Sequence, residues 1–271
     1  MLSLGAMFVE GTLQWTLLER TKIGWAVADA GSAVGPFNDC VKATRSRWKG
    51  TRPYVGLDWR KADLTLTTLG EPRKEIVDTI RMARGDTTRV IEYLIDGKNR
   101  FIFDAARADI AGILTDWRKL GIEPKGLEPM EAAWLRAAAT LADHDAILDM
   151  RASPPILLTM TDDMVFNELI RWDGPADEGA VVQAIRRARS EGSPMRSALV
   201  LGTLPERVRQ DESAATTFEE LSILNQRTPP WADAFALASF AEAEEAAKIE
   251  RAKKKKSSRI VAKSEEKDKA A

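Results

Sequence analysis

Along residues 100–139 the spacing of apolar positions shifts from that of a strand to that of a helix, and then does so again. Phe101, Ile102 and Phe103 form a short apolar run, after which Ile110, Ile113, Leu114 and Trp117 recur at i, i+3, i+4 and i+7, one face of a helix. Gly121 ends that helix, because the residue after the last turn commonly needs a positive φ, and Pro124 prevents the helix from resuming. A short strand follows. Pro129 then suits the first turn of a second helix, in which Met130, Trp134, Ala137 and Leu141 share a side.

The same reading extends to both sides. Residues 1–33 alternate apolar and polar positions in three stretches, with Leu2 and Leu4, then Leu13, Trp15 and Leu17, then Ile23, Trp25 and Val27, which predicts a β-meander. Phe37, Val41 and Thr44 line a short helix, and the basic residues 45–49 after it read as solvated surface. Two strands at 54–57 and 64–69, a helix from Pro72 to Gly85, and strands at 90–95 and 101–103 joined by Asp96-Gly97 complete the first half. After the second helix the pattern restarts. Strands at 146–149, 156–160 and 165–171 form a second meander, followed by a helix at 178–189 with Val181, Ala184, Ile185 and Ala188 inward, and a strand at 197–201. A short strand at 221–224 and a helix from Trp231 to about residue 247 end the folded part. Residues 248–271, with four consecutive lysines at 253–256, are too poor in apolar residues to form a core and read as a disordered charged tail.

Composition narrows the function classes. The 271 residues are 44% hydrophobic with a formal net charge of −1, an ordinary globular balance that makes nucleic acid an unexpected partner. A single cysteine, Cys40, and a single histidine, His144, leave no disulfide and no Cys/His metal cluster to build. Cys40 reads as a small packed hydrophobe, and His144, between Asp143 and Asp145, as part of a solvated turn. No run approaches the roughly 18 apolar residues of a membrane span, and no export signal is visible, so a cytoplasmic location is expected. Trp48 and Trp59, beside basic residues, are the tryptophans expected to mark a partner surface.

The succession "DAARADIAGILTDWRKLGIEPKGLEPMEAAWLRA" and "AILDMRASPPILLTMTDDMVFNELIRWDG" resembles the actin-like PilM proteins of type IV pilus machines and the related cytoplasmic domain of the type II secretion protein GspL. Phe166, Arg171 and Gly174 stand where those proteins carry the end of their second meander, and "LNQRTPPWADAFALASFAE" resembles their closing segment. The resemblance implies an α/β, actin-like (ribonuclease H-like) fold of two lobes, with a small inserted α+β subdomain and a reduced second lobe. It divides the chain into 1–52 (first lobe), 53–119 (insert), 120–143 (return to the first lobe), 144–247 (second lobe) and 248–271 (tail). It further implies a scaffold peripheral to the inner membrane, in a type IV pilus or type II secretion assembly platform. The expected partner is the cytoplasmic N-terminal peptide of a PilN-like membrane protein, with the assembly ATPase or platform protein as further candidates.

An actin-like ATP site needs two hairpins whose backbone N–H groups hold phosphate, carboxylates for Mg²⁺, and a glycine-rich turn against adenine. Where the family's first hairpin reads "GLDIGSSSVK", this chain has "LSLGAMFV": Gly5 matches, Ser3 replaces the acid, and apolar Met7 and Phe8 follow. The second hairpin keeps an acid as Asp149 but places Met150 and Arg151 where the family has "IG", and the adenine turn is reduced to Gly202. The candidate cofactor-binding residues are therefore Gly5, Asp149, Arg151 and Gly202, in a degenerate site with no enzymatic activity and no cofactor expected. An ATP-binding, Mg-dependent actin-like enzyme or switch is the alternative. No P-loop, dinucleotide fingerprint or serine nucleophile elbow is present.

Overall fold

The computed structural model describes residues 1–58, 62–66, 75, 78–79, 81–82, 89–96, 99–141, 144–151, 155–161, 166–171, 178–212 and 215–239. The predicted tail, Trp59, most of the helix expected from Pro72, and the later part of the last helix lie outside these residues.

The first meander forms, but Ile23, expected on the apolar side of its third strand, lies before that strand and is fully exposed. Strands β1 (Leu2–Val9), β2 (Thr12–Arg20) and β3 (Trp25–Val34) are antiparallel, with Val9 opposite Thr12 across a turn at Glu10 and Gly11, where φ is 50° and 75°. Two successive positive φ values are what a tight hairpin needs to match the strand twist. Helix α1 (Phe37–Thr44), a 3₁₀ turn (Arg45–Trp48) and β4 (Pro53–Leu57) follow, and β4 runs parallel to β1. Strands β5 (Ala62–Leu66), β6 (Arg89–Asp96) and β7 (Asn99–Ala106) then make a separate three-stranded sheet in the order β5-β7-β6. Helix α2 (Arg107–Lys119) returns the chain to β8 (Gly126–Pro129), which pairs with β4 and gives the first sheet the order β3-β2-β1-β4-β8.

Helix α2 ends as its sequence implies. Gly121 has φ 68°, its N–H donates to the Arg118 carbonyl (2.9 Å), and the Ile122 N–H reaches back to that of Trp117 (3.2 Å). Buried Ile122 and Trp117 share one core cluster, the apolar contact that accompanies this type of helix stop.

The second lobe repeats the plan. Helix α3 (Met130–Leu141) leads into β9 (Ala146–Asp149), β10 (Ile156–Met160) and β11 (Phe166–Arg171), then α4 (Glu178–Ser190), β12 (Ser197–Leu201), α5 (Glu206–Glu212) and β13 (Thr217–Glu220). The sheet order is β11-β10-β9-β12-β13, the same path as in the first lobe. A small hairpin, β14 (Ser222–Ile223) with β15 (Gln226–Arg227), precedes α6 (Ala232–Ala238). Helices α3 and α6 lie between the lobes. Met7 and Tyr54 of the first sheet, and Ile147, Leu158 and Leu201 of the second, join Trp134 and Leu237 in a single core there.

The element order corrects the expected insert. Residues 53–57 are a central strand of the first sheet, and Trp117 of α2 belongs to the first-lobe core. The insertion is thus confined to the chain between β4 and α2. The equivalent link in the second lobe, from Leu201 to Glu206, holds a short turn, so the second lobe is reduced by lacking an insert there and keeps its full five-stranded sheet. Helix α5 and strand β13 go beyond the elements the periodicity predicts, both being too short to show a period.

Trp48 is also placed otherwise than its basic neighbours imply. It is 2% exposed and packs near Trp117, ring centroids 5.9 Å apart, while Phe37 meets Trp117 edge-on at 5.0 Å. A one-turn 3₁₀ segment that points its arginines outward turns the tryptophan inward. Trp48 is core and not a partner surface.

Candidate functional site

Parallel pairing of β9 and β12 places Asp149 opposite Leu201 at the strand ends, so Asp149, Met150, Arg151 and Gly202 come together. The Met150 N–H donates to the Leu201 carbonyl (2.9 Å), and Gly202, at φ 96°, donates its N–H to Thr228 Oγ1 (2.9 Å). A Cβ on Gly202 would lie 3.1 Å from Arg151 Cγ and 3.4 Å from its backbone nitrogen. The glycine lets the two strand ends close on each other.

The Arg151 side chain crosses from there toward the first lobe. Its Nε donates to Asp149 Oδ1 (3.0 Å) and its Nη2 to Asp149 Oδ2 (2.8 Å), while the Arg151 backbone N–H also donates to Oδ1 (2.9 Å). The same Nη2 donates to Oδ1 of Asp233, in the first turn of α6, at 2.8 Å. Asp233 Oδ1 also accepts from Trp134 Nε1 of α3 (2.9 Å), and the guanidinium stands 5.8 Å from the Trp134 ring centroid. Burial disfavours the charged form of Arg151, but the carboxylates of Asp233 and Asp149 outweigh it and raise its pKa above the ordinary arginine value. The guanidinium is therefore a fixed cation shared by two carboxylates, its side chain 26% exposed, and it joins the end of β9 to the start of α6.

Gly5 stands apart from this cluster. It lies in the middle of β1, with the β1–β2 turn at Glu10 and Gly11. The α6 backbone covers it: a Cβ at Gly5 would come within 1.9 Å of the Ala234 carbonyl oxygen and 2.5 Å of the Ala238 nitrogen. Two side-chain bonds tie the helix down, from Ser3 Oγ to the Ala238 carbonyl (2.7 Å) and from Thr16 Oγ1 to that of Trp231 (3.3 Å). Arg136 of α3 adds a third tie, donating to the Ala236 carbonyl (3.3 Å) while forming a buried two-pronged pair with Glu128 at 2.7 and 2.5 Å. As a hairpin glycine, Gly5 is thus corrected. Its missing side chain serves helix packing, and Ser3 holds a helix end where the family pattern has an acid.

These residues do not fit Mg·ATP. Gly5, the glycine assigned to the phosphate hairpin, is covered by α6, and the carboxylates of Asp149 and Asp233 already share a guanidinium. Among the described residues no group of three or more His, Cys, Asp or Glu is arranged to hold a metal.

His144 differs from its expected setting. It is 3% exposed, its Nδ1 lies 2.7 Å from Ser197 Oγ, and its Nε2 is 3.6 Å from Glu219. Neighbouring Asp145, also buried, accepts the backbone N–H groups of Arg196 (3.1 Å) and Ser197 (3.0 Å). Together they fix the start of β9 to β12. The periodicity gives no sign of this because polar residues at a strand start look the same in a turn.

No protein-family model matches the chain, and a search of curated proteins found no match. Solved structures do. A Bacteroides thetaiotaomicron protein with an actin-like ATPase fold and unknown function superposes with a TM-score of 0.54 at 10% identity, over 88% of this chain and 95% of that one. The fold is actin-like. The cytoplasmic domain of EpsL, an inner membrane component of the type II secretion system of Vibrio cholerae, shares it with a TM-score of 0.51 at 12% identity, over 76% of this chain and 84% of that one. In this actin-like fold no helix of the described residues is long and apolar enough to cross a membrane.

Asp233, Trp134 and Thr228 complete the cleft cluster, and the family pattern singled out none of them. Trp134→Phe keeps the ring and removes the N–H bonded to Asp233. A loss of about 1–2 kcal/mol in urea unfolding is expected, with the fold retained by circular dichroism. No change would mean that the indole N–H does not help hold the cluster.

Proposed function

We propose that the protein is a non-catalytic, actin-like scaffold of an inner-membrane assembly platform, of the type II secretion or type IV pilus kind, related to GspL and PilM. The observation that carries this reading is Arg151 in the cleft, bound to Asp149 and Asp233, because it supplies from within the chain the positive charge that an actin-like nucleotide site takes from Mg²⁺. The lobes are then held without a ligand to hydrolyse. The fold shared with the EpsL cytoplasmic domain, named as part of an inner membrane component, supports the setting.

The partner in this reading is a short cytoplasmic N-terminal segment of a PilN-like membrane protein, which brings the scaffold to the bilayer. An extended peptide adds readily to the open edge of a sheet, and the outer edge of β6, which pairs with β7 on its other side, is one among the described strands. Contact with the assembly ATPase or platform protein is the second interaction expected of such a scaffold. The rival reading is an actin-like ATP-dependent switch using Gly5, Asp149 and Gly202.

Calorimetry separates the two. Titration with Mg·ATP to the millimolar range should give no binding heat, while peptides from the N-termini of membrane proteins encoded nearby should include one that binds. Saturable Mg·ATP binding would overturn the scaffold reading in favour of the switch. Failure of every such peptide would remove the assigned partner.

A further inference from the structure

We propose that the end of the first lobe formed by α1, the 3₁₀ turn and the start of β4 docks on anionic phospholipid headgroups, through Lys42, Arg45, Lys49 and Arg52. This rests on the reading that the protein works at a membrane, and it concerns direct contact with lipid, which a protein partner does not supply. Residues 42–52 hold five Lys or Arg and no Asp or Glu, within a chain whose net charge is −1. The charge is local.

The fold explains why these cations gather and face outward. Lys42 lies in the last turn of α1, the 3₁₀ turn buries Trp48, and Lys49 reverses the chain at φ 50°. Pro53 then enters the sheet opposite Leu4 of β1. Arg45 Nη1 donates to the Leu120 carbonyl (3.2 Å), which ties the patch to the α2–β8 link, while Lys125 of that link places its ammonium over the Tyr54 ring (4.7 Å) and is not part of the group. The side chains of Lys42, Arg45, Lys49 and Arg52 are exposed.

Other surface arginines are tied to carboxylates: Arg118 to Glu123 (2.8 Å), Arg187 to Glu191 (2.9 Å) and Arg209 to Glu220 (3.0 Å). Within residues 42–52, Arg47 alone forms an ion pair among the described residues, with Asp29. Arg52 contributes to the field at Glu123, which Arg118 already holds. The positive charge of the patch is thus largely uncompensated.

The sequence holds a second basic run, the four lysines of 253–256. An anionic leaflet rewards each Lys or Arg near its surface independently of fine geometry. Nucleic acid would also be read by base edges or by stacking, and residues 42–52 contain no Asn or Gln, while their one aromatic, Trp48, is buried.

The test is co-sedimentation of the full-length protein with vesicles of phosphatidylcholine alone and with about 30% phosphatidylglycerol, at about 0.1 M and about 1 M salt. Binding is expected only with phosphatidylglycerol and only at low salt. The double variant Lys42→Gln, Lys49→Asn should bind about 30-fold more weakly, and changing lysines 253–256 to glutamine should weaken binding without abolishing it. Circular dichroism of the double variant, whose two positions are exposed, checks that the fold is kept. The proposal is overturned if phosphatidylglycerol makes no difference, if the double variant binds as the parent does, or if a single-stranded RNA displaces the protein from the vesicles at equal phosphate concentration. Vesicle binding needs no protein partner and peptide binding needs no lipid, so failure of this surface and failure of the scaffold reading give separate results.

Discussion

Arg151→Met is expected to lower the unfolding free energy by about 3 kcal/mol, the lower end of the cost of breaking a buried ion pair, because the arginine side chain is 26% exposed and the carboxylates are 3% and 10% exposed. The loss comes from what is left behind. Asp149 would keep a buried charge with no guanidinium to answer it, and Asp233 would retain only the Trp134 N–H among the bonds described above. Arg151→Lys should recover part of the loss, since an ammonium restores the charge but cannot donate along two directions of a planar fork to both acids. The double variant Asp149→Asn, Arg151→Met should recover part as well, as it removes the stranded charge. Urea unfolding followed by tryptophan fluorescence checks all three. If Arg151→Met falls within about 0.5 kcal/mol of the parent, the arginine does not hold the lobes together, and the main support for a ligand-independent cleft is gone.

Gly5→Ala is the second large effect, of roughly 3 kcal/mol, at the upper end of overpacking costs. The added methyl group would meet the Ala234 carbonyl oxygen at 1.9 Å and the Ala238 nitrogen at 2.5 Å, both backbone atoms, so no side-chain rotation relieves the clash and α6 has to move. Gly11→Ala is the control. Gly11 has φ 75° and open space around its Cβ position, and only backbone strain of about 1 kcal/mol is expected. If Gly11→Ala costs more than Gly5→Ala, then Gly5 is not a packing glycine.

Much of the chain was legible because its elements are amphipathic on a regular period. The two meanders, α2 with its Gly121 stop, α3, α4 and the strand at β12 are all expressed in alternation or in i, i+3, i+4 spacing. The cleft was half legible. Asp149 and Gly202 are found from strand ends, which the hydrophobic runs mark, and Arg151 as a departure from a glycine pattern. Asp233 was not, since an acid in the first turn after Pro229-Pro230 reads locally as a helix-start residue, and only the fold brings it to Arg151, 82 positions away in sequence. Gly5 was misplaced for a related reason. The words "LSLG" and "GLDIG" look alike, but the turn is set by Glu10-Gly11, where the apolar alternation of β1 stops. The burial of Trp48 has no sign in the sequence, because charge density says nothing of which way a single 3₁₀ turn faces.

The contact between Ser3 and Ala238 spans 235 positions of sequence. During synthesis β1 emerges long before the helix that covers its Gly5 face. Until α6 arrives, Met7 and the fully buried Leu237 lack each other's cover, and the first lobe has an apolar face open to water. Closing a loop of that length must precede any return from the contacts it makes, so this lobe matures late and slowly even though its residues come first. A nascent chain released before α6 would carry both five-stranded sheets and an unsealed face, the kind of surface that chaperones and proteases recognise.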